Sequence, residues 1–99
     1  MNAEYYPGWL THWTEPMARV PVGPVADTLR TMLSSGASVN FYMFFGGTNF
    51  GFTAGANDGG PGKFQADITS YDYDAPLDEA GDPTSKYYTL RSVILEVKF

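Results

Sequence analysis

The sequence predicts an α/β fold, and more specifically part of a (β/α)8 barrel. A helical pattern over residues 23–36 is followed at once by a β-branched and aromatic run at 37–44, and a second helical pattern covers 83–97. The link from helix to strand is short, whereas the segment from strand to helix is long. This asymmetry is typical of (β/α) barrels, in which the loops that follow the strands build the active site.

The first helix is predicted over residues 23–36. Pro24 stands near its first turn, where proline is tolerated, and Gly36 provides a stop. Apolar residues at helical spacing form one stripe, made of Val25, Leu29, Met32 and Leu33. We expect this stripe to face a core.

Residues 37–44 predict a strand because they are rich in β-branched and aromatic side chains. Alternation puts one set on one face and a second set on the other: Val39, Phe41 and Met43 against Asn40, Tyr42 and Phe44. Residues 1–4 are expected to end a preceding strand. A lone central strand with two helices cannot pair its edges, so we expect the chain to be cut from a larger sheet.

A second helix is predicted from Pro83 to about Val97, with Asp82 as N-cap and Pro83 at the first helical position. Its inward stripe is expected to hold Tyr87, Leu90, Ile94 and Val97.

Residues 45–82 form a glycine-rich segment with a YDYD run at 71–74. Compact domains usually join elements with about 4 to 6 residues, so a longer loop indicates either a function or a wrong element assignment. We favour a function. Within this segment, the glycine-rich stretch from Asn57 to Gln65 is expected to be variable and mobile.

Charge and composition exclude several functions. A net charge of −5 offers no basic patch for nucleic acid or anionic membranes. The absence of cysteine rules out disulfides and thiolate chemistry, and no apolar run is long enough to span a membrane. The first residues of this chain do not resemble a signal peptide. His12 has no second ligand at metal spacing, so we expect it to be structural, and we expect no metal or cofactor.

Glu4 is the candidate for chemistry. It is followed by Tyr5, Tyr6 and Trp9, and aromatic rings beside a carboxylate are typical of sugar binding, since pyranose faces stack on rings. On position alone, however, a solvated surface carboxylate is the favoured interpretation of Glu4.

Four blocks of sequence favour a catalytic role for Glu4 over a solvated surface carboxylate. They resemble segments of the glycoside hydrolase family 35 β-galactosidases and follow one another in the same order as in that family. They are NAEYYPGWLTHW at 2–13, GASVNFYMFFGGTNFG at 36–51, TSYDYDAPL at 69–77 and EAGD at 79–82. Together they span most of the chain, which makes the resemblance more specific than a single motif. Thr11 departs from the family's frequent Asp, and Thr14-Glu15 replaces a commoner glycine region, which puts loop shape in doubt.

The resemblance implies that residues 1–99 are a partial catalytic domain from the C-terminal end of a (β/α)8 TIM barrel, about its last two strand-helix units. It makes Glu4 the nucleophile and gives the galactose pocket three aromatic residues, Trp9, Tyr42 and Tyr73. From the residues alone, packing is the favoured role for both Trp9, as a buried anchor under the loop, and Tyr42, as a strand aromatic, and YDYD is typical of a solvated acidic turn. Asp72 and Asp74 are expected to bind backbone amides in the loop.

Retaining hydrolysis needs two carboxyl groups, and only one is assignable here. The resemblance places the acid/base glutamate upstream of Met1, so we expect the isolated chain to be inactive and to need the rest of the barrel. The parent is expected to remove terminal β-linked galactose from oligosaccharides or glycoconjugates. The alternatives are a catalytically inactive carbohydrate-binding relative and a purely structural fragment. By the same resemblance, the location is lysosomal, vacuolar or extracellular.

Overall fold

The computed structural model describes residues 1–97 and contains two helices and one small sheet. The elements are α1 (Val22–Ser34), a single 3-10 turn (Gly51–Thr53), β1 (Ala56–Asp58), β2 (Phe64–Ala66) and α2 (Ser85–Glu96). The predicted α/β class is therefore confirmed at the level of its elements.

Helix α1 follows the sequence prediction closely. It begins one residue before Gly23 and ends at Ser34, with Val25, Leu29 and Leu33 buried as expected. The stop at Gly36 is confirmed, since its φ of 83° lies in the left-handed region that glycine adopts without strain.

The strand predicted over residues 37–44 is not formed. The segment is extended and aligns in parallel with residues 2–5, through N–H groups of Asn2 and Tyr5 that donate to Ser38 and Asn40 at 2.8 Å. Only one bridge results, between Tyr5 and Phe41, because the chain turns at Tyr42–Phe44. The Tyr42–Met43 peptide bond is cis. The predicted alternation nevertheless holds, since one set is half-buried and the other exposed: Val39, Phe41 and Met43 against Asn40, Tyr42 and Phe44.

Helix α2 begins later than predicted. Its N-cap is Thr84, whose side chain accepts a hydrogen bond from the N–H of Tyr87, so the assignment of Asp82 as cap and Pro83 as first residue is wrong. The reason is that Pro83 lies in a bridge with Leu77 and is held outside the helix.

The inward face of α2 also differs from the predicted stripe. Leu90 is buried and Tyr87 and Val97 are half-buried, whereas Ile94 is exposed. Val93 and Lys86 are buried instead. The face is set by packing against α1, which gives one small core: Val25, Ala26, Leu29, Leu33, Leu90 and Val93.

Strands β1 and β2 form an antiparallel hairpin in which Asn57 pairs with Gln65. The hairpin lies in the stretch for which the sequence predicts only a variable, mobile loop. Each strand has three residues, and nearly all of them are exposed, so there is no apolar alternation by which the sequence could reveal it.

The chain is more extended than a compact domain of its size. Its radius of gyration is 15.0 Å, whereas a compact domain of this length has about 12.6 Å. Large aromatic side chains such as Trp13, Phe50, Phe52 and Phe64 stay mostly exposed. Neither of the helices that the structure describes has the length and apolar character needed to cross a membrane.

Because its core is this small, we expect the chain expressed alone to show no cooperative unfolding transition in urea, followed by circular dichroism. Leu29→Ala is the control, since Leu29 is fully buried. In a cooperatively folded protein such a change lowers the free energy of unfolding by about 2–5 kcal/mol, so it would lower the urea concentration at the midpoint of a cooperative transition. A sharp transition that Leu29→Ala shifts to lower urea would contradict this expectation.

Candidate functional site

Five aromatic side chains from three separate segments form a contiguous group, which we call the aromatic cluster: Tyr6, Trp9, Tyr42, Tyr71 and Tyr73. The ring centroids of Tyr42 and Tyr73 lie 5.6 Å apart, and those of Trp9 and Tyr73 lie 6.1 Å apart. The structure therefore brings together all three aromatic residues that the sequence analysis assigned to a sugar pocket.

Glu4 reaches this cluster through Tyr6. The Tyr6 hydroxyl donates a hydrogen bond to Oε2 of Glu4, and the Tyr6 ring contacts both Trp9 and Tyr42. The sequence analysis named Tyr6 as a ring beside Glu4, but it assigned neither Tyr6 nor Tyr71 to the sugar pocket. The available signal was alternation, because Tyr6 lies two residues after Glu4 and shares its side of an extended segment.

The parallel bridge between Tyr5 and Phe41 explains how the first two segments meet. The Tyr5 hydroxyl donates to the carbonyl of Val25 in α1, and its ring packs on Phe41 with centroids 5.6 Å apart. Tyr5 thus faces the core. Its neighbours Glu4 and Tyr6 consequently point to the opposite, exposed side, where Tyr42 also lies.

Two glycines let the third segment approach. A Cβ added to Gly8 would lie 1.7 Å from the carbonyl oxygen of Tyr73, and one added to Gly46 would lie 1.9 Å from that of Tyr71. No real Cβ tolerates such distances. The backbone of residues 71–74 therefore rests directly on the two glycines, and any side chain at either position would push this loop away from Glu4 and Tyr42.

The loop carries an unusual backbone. Tyr73 and Asp74 have φ angles of 64° and 50°, in the left-handed region that non-glycine residues seldom adopt. Side-chain contacts hold it: Asp72 Oδ2 accepts from the N–H of Asp74 at 3.2 Å, and Asp74 Oδ2 accepts from the N–H of Val20 at 2.7 Å. The expectation that both aspartates bind backbone amides is confirmed.

Exposure divides the cluster into an open and a buried side. Trp9 and Tyr42 are 49% and 36% exposed, and Glu4 is exposed as well. Tyr73 is only 3% exposed and lies beneath them. The indole of Trp9 and the carboxylate of Glu4 are therefore both accessible to a ligand.

Three phenols of the cluster, those of Tyr6, Tyr71 and Tyr73, have a pKa above the ordinary tyrosine value. Burial raises the pKa of Tyr73, and the nearby Tyr42, Tyr6 and Glu4 raise it further. Burial and the Tyr42 hydroxyl, 3.4 Å away, raise the pKa of Tyr71. The pKa of Tyr6 is raised chiefly by its hydrogen bond to Glu4. Each hydroxyl can therefore donate a hydrogen bond across the whole pH range in which proteins work.

Other carboxylates near these loops have partners of their own. Glu79 accepts hydrogen bonds from the hydroxyls of Thr48 and Ser70, and these bonds lower its pKa. A lowered pKa does not suit a general acid, which must hold its proton near neutral pH. Glu15 pairs with His12. Among the carboxylates of residues 1–97, Glu4 is thus the one that accepts a hydrogen bond from a side chain of the aromatic cluster.

His12 joins the hairpin to the segment that follows Glu4. Its Nε2 lies 2.8 Å from Oδ1 of Asn57 and 3.7 Å from Oδ1 of Asp67, and its Nδ1 lies 2.9 Å from Oε1 of Glu15. The main chain adds a bond from the N–H of Trp13 to the carbonyl of Ala66 at 2.9 Å. The part of the chain that the structure describes contains no group of three residues arranged to hold a metal ion.

The sequence matches known proteins along its whole described length. The family model described as Glycosyl hydrolases family 35 matches residues 1–97. The chain is 54% identical to "Beta-galactosidase" of Felis catus, 52% to "Beta-galactosidase" of Homo sapiens and 52% to "Beta-galactosidase 1" of Dictyostelium discoideum. Each alignment covers 95% of this chain but only 13–14% of the relative. The chain thus spans about a seventh of the length of these relatives.

The arrangement around His12 predicts a pH-dependent contribution to stability. Its hydrogen bond to Asn57, followed by the charges of Glu15 and Asp67, raises its pKa above the ordinary value. The stabilisation from protonated His12 is therefore complete below the unfolded-state pKa of about 6.5 and is lost as pH rises through the folded-state pKa. His12→Gln should cost more stability at pH 5.5 than at pH 8.

The measurement is thermal unfolding at several pH values, on the smallest version of the protein that unfolds cooperatively. Glu15→Gln serves as the control, because it removes one of the charges that raise the pKa while keeping an oxygen acceptor, and it should flatten the pH dependence. A cost of His12→Gln that grows as pH rises would show that His12 is held as the neutral imidazole.

Proposed function

The chain belongs to glycosyl hydrolase family 35, and from this premise we propose that the whole protein is a retaining β-galactosidase. It would remove terminal β-linked galactose from oligosaccharides or glycoconjugates. The observation that carries the proposal is the carboxylate of Glu4 beside the aromatic cluster, on the open side of the loops. The names of its relatives support the choice of sugar.

We propose further that residues 1–99 are part of the catalytic domain, at the C-terminal end of a (β/α)8 barrel, about its last two strand-helix units. Two parallel bridges support this, Tyr5 with Phe41 and Phe45 with Leu77, because neighbouring strands of such a barrel are parallel. The rest of the barrel would cover the aromatic side chains that this chain leaves exposed.

In the proposed reaction, an oxygen of Glu4 attacks the anomeric carbon and forms a galactosyl ester while the glycosidic C–O bond breaks. The leaving oxygen takes its proton from a second carboxyl group, about 5–5.5 Å away. That group, now a carboxylate, removes a proton from a water that attacks the anomeric carbon, so that the ester bond to Glu4 breaks and galactose is released. That group would come from another part of the barrel. The isolated chain would consequently be inactive.

The neighbouring phenols would assist in distinct ways. The Tyr6 hydroxyl bonds to Oε2 of Glu4, which orients the carboxylate and leaves its other oxygen to attack. Trp9 offers an exposed ring face on which a pyranose can stack. Tyr42 and Tyr73 would donate hydrogen bonds to sugar hydroxyls or to Glu4. No cofactor or metal takes part in this scheme.

A second candidate is a binding relative that holds galactose without cleaving it. It is favoured by one observation: among the carboxylates within residues 1–97, Glu4 alone accepts a hydrogen bond from a side chain of the cluster. The family membership also carries an expectation of location, which is lysosomal, vacuolar or extracellular.

Glu4→Gln separates the two candidates. In the full-length protein we expect loss of turnover by several orders of magnitude with galactose binding kept, because the amide preserves shape but cannot attack. Hydrolysis of a chromogenic β-galactoside and galactose titration followed by tryptophan fluorescence measure the two quantities. Glu96→Gln, at an exposed position in α2, is the matched control. Retention of more than about a tenth of kcat, a loss under ~1.4 kcal/mol, would exclude Glu4 as the nucleophile.

Tyr42→Phe and Tyr73→Phe test the hydroxyl contacts. Each change keeps the ring and removes one donor, which should lower kcat/KM by a factor corresponding to about 1–3 kcal/mol. Tyr88→Phe, at an exposed tyrosine of α2, should have no effect. If kcat/KM is unchanged in both Tyr42 and Tyr73 variants, these residues only pack the loops.

A further inference from the structure

Helix α2 contains a buried ammonium group. Lys86, in its first turn, is only 5% exposed and lies on the same inward side as Leu90. Its Nζ donates to the carbonyl of Pro7 at 2.6 Å, to the carbonyl of Asp74 at 2.7 Å and to Oδ2 of Asp74 at 2.9 Å. An ammonium group has three N–H bonds, so every donor is used.

Burial of this charge needs a reason. Removal of an ammonium from water costs several kcal/mol unless its charge and hydrogen bonds are compensated, and a long apolar side chain would fill the same position at lower cost. Here compensation comes from two carbonyls and one carboxylate, all brought by segments distant in sequence. The charge is therefore used to hold those segments.

Both segments belong to the candidate site. Pro7 precedes Gly8 and Trp9, whereas Asp74 directly follows Tyr73. Gly8 lies so close to the carbonyl of Tyr73 that the two segments are in direct backbone contact. Any change in the three hydrogen bonds of Lys86 should therefore alter the spacing between the rings of Trp9 and Tyr73, whose centroids are 6.1 Å apart.

Asp74 also connects Lys86 to the segment that leads into α1. Its Oδ2 accepts from Lys86 and also from the N–H of Val20, just before that helix begins. The left-handed backbone at Asp74 is thus held by two partners, Lys86 and the segment that leads into α1.

We propose that Lys86 is a positioning residue for galactoside hydrolysis. Its ammonium fixes the position of the exposed Trp9 ring against the buried Tyr73 ring in the aromatic cluster, without touching the substrate. This inference rests on the function proposed above, and it predicts that Lys86 acts on substrate binding and turnover in each correctly folded molecule.

The test is Lys86→Met in the full-length protein, since methionine keeps most of the apolar length and removes all three donors. Lys63→Met, in the exposed hairpin, is the control. A 2-deoxy-2-fluoro-β-galactosyl fluoride would count competent molecules through the stable ester it forms with the nucleophile. Kinetic constants are then expressed per labelled site, at a temperature well below the unfolding midpoint of each variant.

We expect Lys86→Met to lower kcat/KM per labelled site by about 10- to 100-fold, with a raised KM, because a misplacement near 1 Å has effects of that size. Lys63→Met should match the wild type. Fewer labelled sites with unchanged kcat/KM per site would overturn the proposal, because a purely structural lysine changes the number of folded molecules and not their kinetics.

If Lys86→Met yields too few labelled sites to titrate, the Asp74→Asn variant tests the same inference. It keeps an oxygen acceptor and removes the charge opposite the ammonium, so kcat/KM per site should fall by about 10-fold. An unchanged value would overturn the inference. Failure of the proposed function has a different signature, since the wild type would then be neither labelled nor active, or Glu4→Gln would still be labelled.

Discussion

The candidate site depends on the close contact between the backbone of residues 71–74 and two glycines. Gly8 and Gly46 lack the Cβ atoms that would collide with the carbonyls of Tyr73 and Tyr71. Three segments with little regular secondary structure are thereby stacked at fixed distances. Lys86 of α2 then connects two of these segments through hydrogen bonds to the carbonyls of Pro7 and Asp74. The positions of these segments thus depend on backbone contact and on a buried charge, because few strand hydrogen bonds connect them.

The same contact determines what chemistry the chain can offer. It sets protonated phenols beside a single exposed carboxylate, whose partner Tyr6 orients it without protonating it. Glu79 is engaged by two hydroxyls and has a lowered pKa, so it does not supply the complementary acid. Such an arrangement suits a nucleophile and a sugar platform. Under the proposed mechanism, the proton donor would come from another part of the protein, of whose relatives this chain spans about a seventh.

The sequence predicted the helices better than the site. Apolar periodicity and Gly36 located α1, but Pro83 misplaced the start of α2 because its bridge to Leu77 is a tertiary contact. The segment at 37–44 kept its predicted alternation, but the chain turns at Tyr42–Phe44, so only one bridge forms and the predicted strand is absent. Glu4 came from family resemblance, since its position alone favoured a solvated carboxylate. Lys86 could not be found at all, because its acceptors are brought to it by folding and one of them is 79 residues away.

The most direct test of the central claim is the identity of the residue that bonds to the sugar. The full-length protein would be treated with a 2-deoxy-2-fluoro-β-galactosyl fluoride, digested, and the labelled peptide sequenced by mass spectrometry. We predict one fluorogalactosyl group per molecule, as an ester on Glu4. A label on Glu15, Glu79 or a carboxylate elsewhere in the protein, or an active enzyme that acquires no label, would contradict the account.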